Sequence, residues 1–456
     1  MRLSARTRNR LTASVQNPHY DVAATGNGIV HFGIGAFHRA HQAVYTDDAM
    51  NAVGGDWGIL GVSLRSPAVA KQMNPQDGLY TVTERSAFGS KVRLIGAVKK
   101  IVVAHHYSEL LVATLAAPST HIVSFTITEK GYCRAPDGSL DRNLSDEGSI
   151  YAYLSAGFRR RMNAGNPGLT LLSCDNLAKN GAQLERLMTE YLEHNAPDLI
   201  PWFAANCTCP STMVDRIVPA TTESDRDHIE QLIGLRDEAA VVTEPFSQWV
   251  IEDRFAGPRP AWEKVGVQFA DDVQPFETAK LRMLNGAHSA LAYLGLRRGH
   301  EFVHQAISDP DLVQVINRLM REEAATSLSP APGQDLTAYA DALIERFRNP
   351  ALNHRLIQIA MDGSQKIPQR WLETLAFHQR QDRQCPAILA AMAAWLRHVR
   401  GDNGPVVDPM AETLKAIWDA ANADSIVAAL FSPGGPMASD WSPSDADREL
   451  LFEALQ

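Results

Sequence analysis

The run Gly28-Ile-Val-His-Phe-Gly33-Ile-Gly35 is apolar and ends in two glycines one residue apart, just before a helical stretch over residues 37–52. A short apolar run closed by a turn signal reads as a buried strand. Glycine at a strand-to-helix turn permits the tight bend, and a second glycine lets a ligand approach the backbone closely. A strand of this kind needs apolar cover on both faces, so the pattern that follows decides the fold. Residues 57–64, 92–98, 121–127 and 169–173 read as further strands, with helices at 107–117 and 158–162 between them. Such alternation predicts a mostly parallel sheet with helices on both faces.

After about residue 270 the texture changes. Residues 279–296, 311–325, 336–347, 387–399 and 411–421 carry helical periodicity, and the Ser-Pro-rich stretch 327–333 is a loop. The predicted fold class is α/β: a Rossmann-like, doubly wound domain over 1–269, then an all-helical domain over 270–456.

A chain of 456 residues with 45% hydrophobic and 21% charged residues has the balance of a globular protein of two or three domains. A net charge of −9 with no basic stripe argues against nucleic acid. The longest uninterrupted apolar run, 387–396, is far short of the ~20 residues of a membrane-spanning helix. Five cysteines in a chain this long read as reduced thiols in the cytoplasm. Cys207 and Cys209 have no second pair to complete a zinc site. The arginine-bearing first ten residues read as a solvated tail, with no signal-peptide stretch after them.

The glycine turn sits where a dinucleotide fold offers backbone N–H groups to a pyrophosphate. The third glycine of that fingerprint would fall at position 38, which is His38, so on spacing alone the segment also fits a plain turn. No acid closes the second strand; the region reads Ser63-Leu64-Arg65-Ser66-Pro67. Arg65 could approach a 2′-phosphate, which leaves NAD and NADP both open. His38 and His41 allow a metal reading, but no carboxylate at ligand spacing completes it, and packing near the turn explains them equally.

Pro275-Phe-Glu277-Thr-Ala-Lys280-Leu-Arg-Met-Leu-Asn285-Gly-Ala-His288 is the most informative stretch. At about 100° per residue, Lys280, Glu277, His288 and Asn285 fall within one arc of about 140°. A lysine partly desolvated in a cleft can exchange a proton with an alcohol, and an amide can stabilise charge on the same oxygen. The same arc also fits an ordinary amphipathic helix with a polar outer face.

GIGAFHRAHQAVYTDD (33–48) and KLRMLNGAH (280–288) together resemble the long-chain mannitol dehydrogenase family of metal-independent polyol and sugar-acid dehydrogenases. TITEKGYC (126–133), SCDNL (173–177), TMVDRIVPA (212–220), EPFSQWVIED (244–253) and DGSQKIPQR (362–370) extend the likeness along nearly the whole chain. The resemblance implies a nicotinamide cofactor, NAD, and a cleft between the two domains. It implies Lys280 as general acid/base, with Asn176, Asn285 and His288 around the reactive oxygen, and Asp215 and Lys366 on substrate hydroxyls. It sets Gly33, Gly35, Phe37, His38, Thr128 and Glu129 at the cofactor, beside Arg65, and implies no metal. Intact Lys280, Asn285 and His288 count against a silent nucleotide-binding protein on the same fold.

Within the family the blocks lean toward members that interconvert D-mannonate and D-fructuronate. Mannitol or another polyol, or tagaturonate, is the alternative substrate. A substrate carboxylate calls for a cation, and Arg370, four residues beyond Lys366, is placed to share it if that segment is helical. Solvent or a backbone carbonyl is the other partner an arginine there could take. The expected partner is a small-molecule sugar acid or polyol, bound by a cytoplasmic monomer or small homo-oligomer away from membranes and nucleic acid.

Overall fold

A computed structural model describes residues 1–146, 148–422 and 425–455. It divides into two units, Met1–Val273 and Gln274–Gln456.

The strands of the first unit are β1 (Asn27–Phe32), β2 (Gly58–Ser63), β3 (Tyr80–Ser86), β4 (Gly89–Ile95), β5 (Val98–Val103) and β6 (Ile122–Phe125). They continue with β7 (Thr170–Ser173), β8 (Thr212–Asp215), β9 (Val241–Thr243), β10 (Gln248–Glu252) and β11 (Gln268–Ala270). The central sheet has the order β5-β2-β1-β6-β7 and is parallel throughout. Its residues alternate between two cores, as the period of 2 in a strand requires. Val30, Phe32, Val123 and Phe125 enter one core, while Ile29 and Ile122 enter the other. The first core is closed by helices Ser108–Ala116, Ile150–Ala164 and Asn180–Asn195, and the second is covered in part by Gln42–Val53. Two small sheets complete the unit, ordered β11-β10-β8 and β4-β3-β9.

Four sequence expectations change here. Residues 92–98 are not one strand: Val92 lies in β4, which pairs antiparallel with β3, and Val98 opens β5. The helix expected over 37–52 is broken at His41, whose φ of −121° and ψ of −93° end Ala36–Ala40 and start Gln42–Val53. The first unit runs past Phe269 because that residue lies inside β11, paired with β10. The N-terminal segment is docked, not a solvated tail. Leu3 and Val15 are buried in a core with Ile229 and Ile233, and Leu3 N donates to the Arg236 carbonyl at 2.8 Å. Leu3 and Val15 gain by leaving water, and Arg2 docks beside them, its Nη2 donating to the Gln72 carbonyl at 2.7 Å and its Nε to Gln76 Oε1 at 3.2 Å.

The second unit is helical. Its core gathers Leu291, Tyr293, Trp371, Leu389, Trp395 and Phe431. Helix Pro386–Arg400 is buried on most of its surface, and helix Gly286–Arg297 packs against it. Among the described residues three stretches widen from α to π winding: Lys280–Asn285, between Gln274–Ala279 and Gly286–Arg297; Leu319–Ala324, after Pro310–Arg318; and Pro368–Leu372, between Gly363–Ile367 and Glu373–Gln379.

β1 is where the winding reverses, with β2 and β5 on one side and β6 and β7 on the other. There Gly33 (φ 93°) crosses the end of β6 so closely that a Cβ would stand 2.0 Å from the Thr126 carbonyl oxygen. Gly33→Ala is expected to cost on the order of 3 kcal/mol, from a forbidden φ and backbone overlap together. Thermal unfolding will show it as a midpoint several degrees below wild type.

Candidate active site

In the first unit the parallel register carries the residues expected at the cofactor, and Asn176 expected at the reactive oxygen, to one end of the central sheet's strands. Gly33 follows β1, Arg65 follows β2, Thr128 and Glu129 follow β6, and Asn176 follows β7. Gly33 N donates to the Val62 carbonyl at 2.9 Å, fixing the turn against β2. A Cβ on Gly35 would meet nothing closer than the Gly33 carbonyl oxygen at 3.8 Å, so the turn's outer backbone is bare. A bare backbone at the switch point of a doubly wound sheet fits a dinucleotide's pyrophosphate.

His31, Ser124 and Gln42, which lie beneath this turn, were not singled out in the sequence. His31 Nδ1 lies 2.8 Å from Ser124 Oγ, and its Nε2 lies 2.9 Å from Thr126 Oγ1 and 3.2 Å from the Gly33 carbonyl. Ser124 Oγ in turn donates to Gln42 Oε1 at 2.8 Å. The His38 ring is fully buried and stacks on His31 with centroids 3.4 Å apart. His38 therefore supports the turn from inside and does not face its outer surface. Burial holds both imidazoles neutral, with His31 pushed down to about 3 and His38 well below the ordinary range. His41 Nε2 lies 2.9 Å from the Gln248 carbonyl, and its ring stacks with Phe37 at 5.0 Å, so His38 and His41 serve different partners.

Thr128 has φ 59°, an uncommon conformation for a β-branched residue. Asp175 holds it there. Its carboxylate accepts from Ile127 N and Thr128 N, both at 2.9 Å, and from the Tyr132 hydroxyl at 2.9 Å. Burial raises the Asp175 carboxyl, against those three donors. This carboxylate joins the loop after β6 to the loop after β7, beside Asn176. Only the block SCDNL contained it, and nothing in its spacing pointed to a clamp. Arg65 is exposed at the end of β2. Asp215 is buried at the end of β8, opposite Gln248 of β10.

In the second unit Lys280 opens the π stretch that Asn285 closes. The regular-helix arc does not hold through it. Gly286 N donates five residues back, to the Leu281 carbonyl. With bonds of that span, residues five apart lie one turn above each other. Lys280 and Asn285 are five apart, so the wide turn draws them toward one face. A lysine and an amide so aligned can exchange a proton with, and donate a hydrogen bond to, a single oxygen. His288, one α turn on, is buried, with its ring 4.6 Å from Phe347 and 5.4 Å from His354. Burial first, then the charges on His354, Arg346 and Arg370, hold it neutral.

The helix carrying Lys366 and Arg370 lies against this one. Lys366 Nζ donates to the Met361 carbonyl at 2.5 Å and to the Ile359 carbonyl at 3.4 Å. Arg370 Nη1 donates to the Asn285 carbonyl at 3.2 Å and to Ser289 Oγ at 2.6 Å. Burial lowers Lys366, with a further push from Arg370, and brings Arg370 down to about 10. Arg370 remains a cation at neutral pH. The structure thus sets Arg370 against the Asn285 backbone carbonyl and Ser289, next in sequence to His288, with Lys366 one helical turn before Arg370.

Residues 27–264 match the family model of the Mannitol dehydrogenase Rossmann domain, and residues 272–434 match that of the Mannitol dehydrogenase C-terminal domain. The chain is similar to the D-mannonate oxidoreductase of Escherichia coli strain K12, 40% identical over 456 residues, covering 95% of this chain and 93% of that one. It is similar also to the mannitol 2-dehydrogenase of Aspergillus fumigatus, 38% identical over 453 residues, covering 93% and 90%. Among solved structures it resembles Pseudomonas fluorescens mannitol 2-dehydrogenase in ternary complex with NAD and D-mannitol. The TM-score is 0.80 and the identity 35%, covering 100% of this chain and 96% of that one.

The neutral His288 sets a pH dependence. Its folded pKa lies below the unfolded value of 6.5, so the stability it contributes is present above that pH and lost as pH falls below it. His288→Asn is expected to flatten the acid limb of a stability-versus-pH curve by up to ~1.4 kcal/mol per pH unit below 6.5. Denaturant titrations of both proteins across that range will measure the difference.

Proposed function

This chain belongs to the mannitol dehydrogenase family, and on that premise we propose that it interconverts D-fructuronate and D-mannonate with NAD(H). It is an oxidoreductase using NAD and acting on an open-chain sugar alcohol or sugar acid. Bound NADH supplies the hydride.

The observation that carries the sugar-acid reading is the cation pair on one helix. Lys366 and Arg370 lie a turn apart beside the helix of Lys280, and Arg370 Nη1 is already anchored to that helix. Its Nε and Nη2 have no hydrogen-bond partner among the described residues. A planar guanidinium with two donors to spare, next to an ammonium, suits a carboxylate. The likeness to D-mannonate oxidoreductase supports the same reading. The likeness to mannitol 2-dehydrogenases is equally strong and supports a second one, reduction of D-fructose to mannitol.

In either reading Lys280 delivers the proton to the carbonyl oxygen during reduction and removes it during oxidation. Asn285 and Asn176 donate hydrogen bonds to that oxygen as negative charge develops. His288, held neutral, orients the same oxygen without adding a cation beside Lys280. Glu277, three residues before Lys280, steadies the lysinium. Asp215 and Lys366 hold substrate hydroxyls. Gly33, Gly35 and Phe37 form the cofactor turn, with Thr128 and Glu129 on the adjoining loop and Arg65 near the adenosine ribose.

NADH oxidation with D-fructuronate and D-fructose side by side tests the substrate. A rate with fructuronate well above that with fructose is expected; the reverse moves the chain to the polyol reading. Lys280→Ala is expected to lower kcat by about 10³-fold while NADH still binds, and a wild-type rate would remove Lys280 from proton transfer. Arg370→Ala is expected to raise KM for fructuronate at least tenfold more than KM for fructose. Equal changes would exclude Arg370 from carboxylate binding.

A further inference from the structure

Arg65 stands where a doubly wound sheet reads the adenosine end of a dinucleotide. β1 and β2 pair in parallel with Phe32 beside Val62, and Gly35 and Arg65 each lie three residues beyond that pair. Parallel neighbours run about 4.8 Å apart, so the two loops leave the sheet side by side. A dinucleotide whose pyrophosphate lies on the turn after β1 has its adenosine ribose at the end of β2. A carboxylate there accepts from the free ribose 2′-hydroxyl and repels a 2′-phosphate. This chain has no carboxylate in that place: residues 57–76 contain neither Asp nor Glu.

The loop offers donors instead. Ser63 Oγ donates to the Ser66 carbonyl at 2.6 Å, and Ser66 Oγ accepts from Ala68 N at 3.2 Å. Those bonds close the turn that carries Arg65 and leave the Ser66 hydroxyl hydrogen for a further acceptor. Arg65 is exposed, and among the described residues no carboxylate pairs with it. Burial pushes up the Cys133 thiol, beyond the Thr128 loop, and the Arg65 charge draws it back down. Cys133 lies past β6 in the chain, so the guanidinium is on the side of the glycine turn. On the other flank Ser63 pairs with Val103 of β5, and the exposed His105 and His106 follow, their rings 4.0 Å apart. The first acid after them, Glu109, is bound to Arg160 at 2.8 Å. The ends of β2 and β5 thus present a planar cation, a hydroxyl and two imidazoles. Arginine suits a phosphate because its parallel N–H groups match two phosphate oxygens.

We propose that this chain uses NADPH as well as NADH, with Arg65 and the Ser66 hydroxyl holding the 2′-phosphate. This rests on the glycine turn as the pyrophosphate site and is independent of which sugar is reduced.

Adenosine 2′,5′-bisphosphate and 5′-AMP differ only by the 2′-phosphate, so calorimetry with these two probes reads the site without turnover. The bisphosphate is expected to bind at least as tightly as AMP, and its advantage to shrink in high salt, as an exposed ion pair requires. Weaker binding of the bisphosphate overturns the proposal. With a ketose that is reduced by NADH, kcat/KM for NADPH is expected within about tenfold of that for NADH, and a larger deficit overturns it equally. Arg65→Gln is expected to lower bisphosphate affinity at least about tenfold more than AMP affinity, and to shift the NADPH-to-NADH ratio of kcat/KM by a like factor. An unchanged ratio removes Arg65 from the phosphate and overturns the assignment. Ser66→Asp supplies the missing carboxylate and is expected to lower the same ratio about a hundredfold. Should neither D-fructuronate nor D-fructose be reduced, the substrate reading fails while the calorimetry still decides this one.

Discussion

The crossing of Gly33 over the Thr126 carbonyl is the constraint on which the first unit's site depends. β1 and β6 are parallel neighbours whose chains must part in opposite directions at the switch point, so the two loops meet within contact distance. Only a residue without a Cβ passes there. That crossing sets the bare glycine turn over the buried His31–Ser124–Gln42 chain, and sets the Thr128 loop beside it. Asp175 then fixes that loop in a conformation Thr128 would not choose alone. Neutral histidines lie below the turn and a buried carboxylate beside it, while the buried Arg39 donates from Nε to the Gly35 carbonyl at 3.3 Å.

The second unit solves a different problem. Lys280, Asn285, His288, Lys366 and Arg370 are polar, yet they sit next to a core that includes Trp371 and Tyr293. Burial at that border drives His288 neutral and lowers Lys366 and Arg370. Backbone carbonyls take up part of the cationic demand: Met361 and Ile359 for Lys366, and Asn285 for Arg370. Those bonds limit the mobility of the two long side chains, so a substrate group would meet cations already oriented.

Much of the fold was legible because hydrophobic periodicity is a local property. The strands at 57–64, 121–127 and 169–173 and the helices of the second unit match closely. Residues 92–98 misled because a hairpin strand and the next parallel strand adjoin with almost no polar interruption. The tail misled because charge dominates its composition while two apolar residues decide its docking. Glu277, Lys280, Asn285 and His288 were visible as polar residues on one stretch of helix, and the motif blocks contained Asn176 and Asp215.

Residue type and spacing alone determined the α/β-then-helical order, the glycine turn after the first strand, and the lysine, amide and imidazole of the later helix. Each depends on neighbours within a turn or two of chain. Tertiary structure alone decided that His38 faces inward onto His31, that Asp175 clamps the Thr128 loop, and that the helix winds wide between Lys280 and Asn285. Asp175 reaches back 47 residues to its partner on Thr128, and Trp371 reaches back 85 to the Gly286 carbonyl. Contacts over such separations form only once the whole sheet or helical core has closed around them, so no local pattern records them.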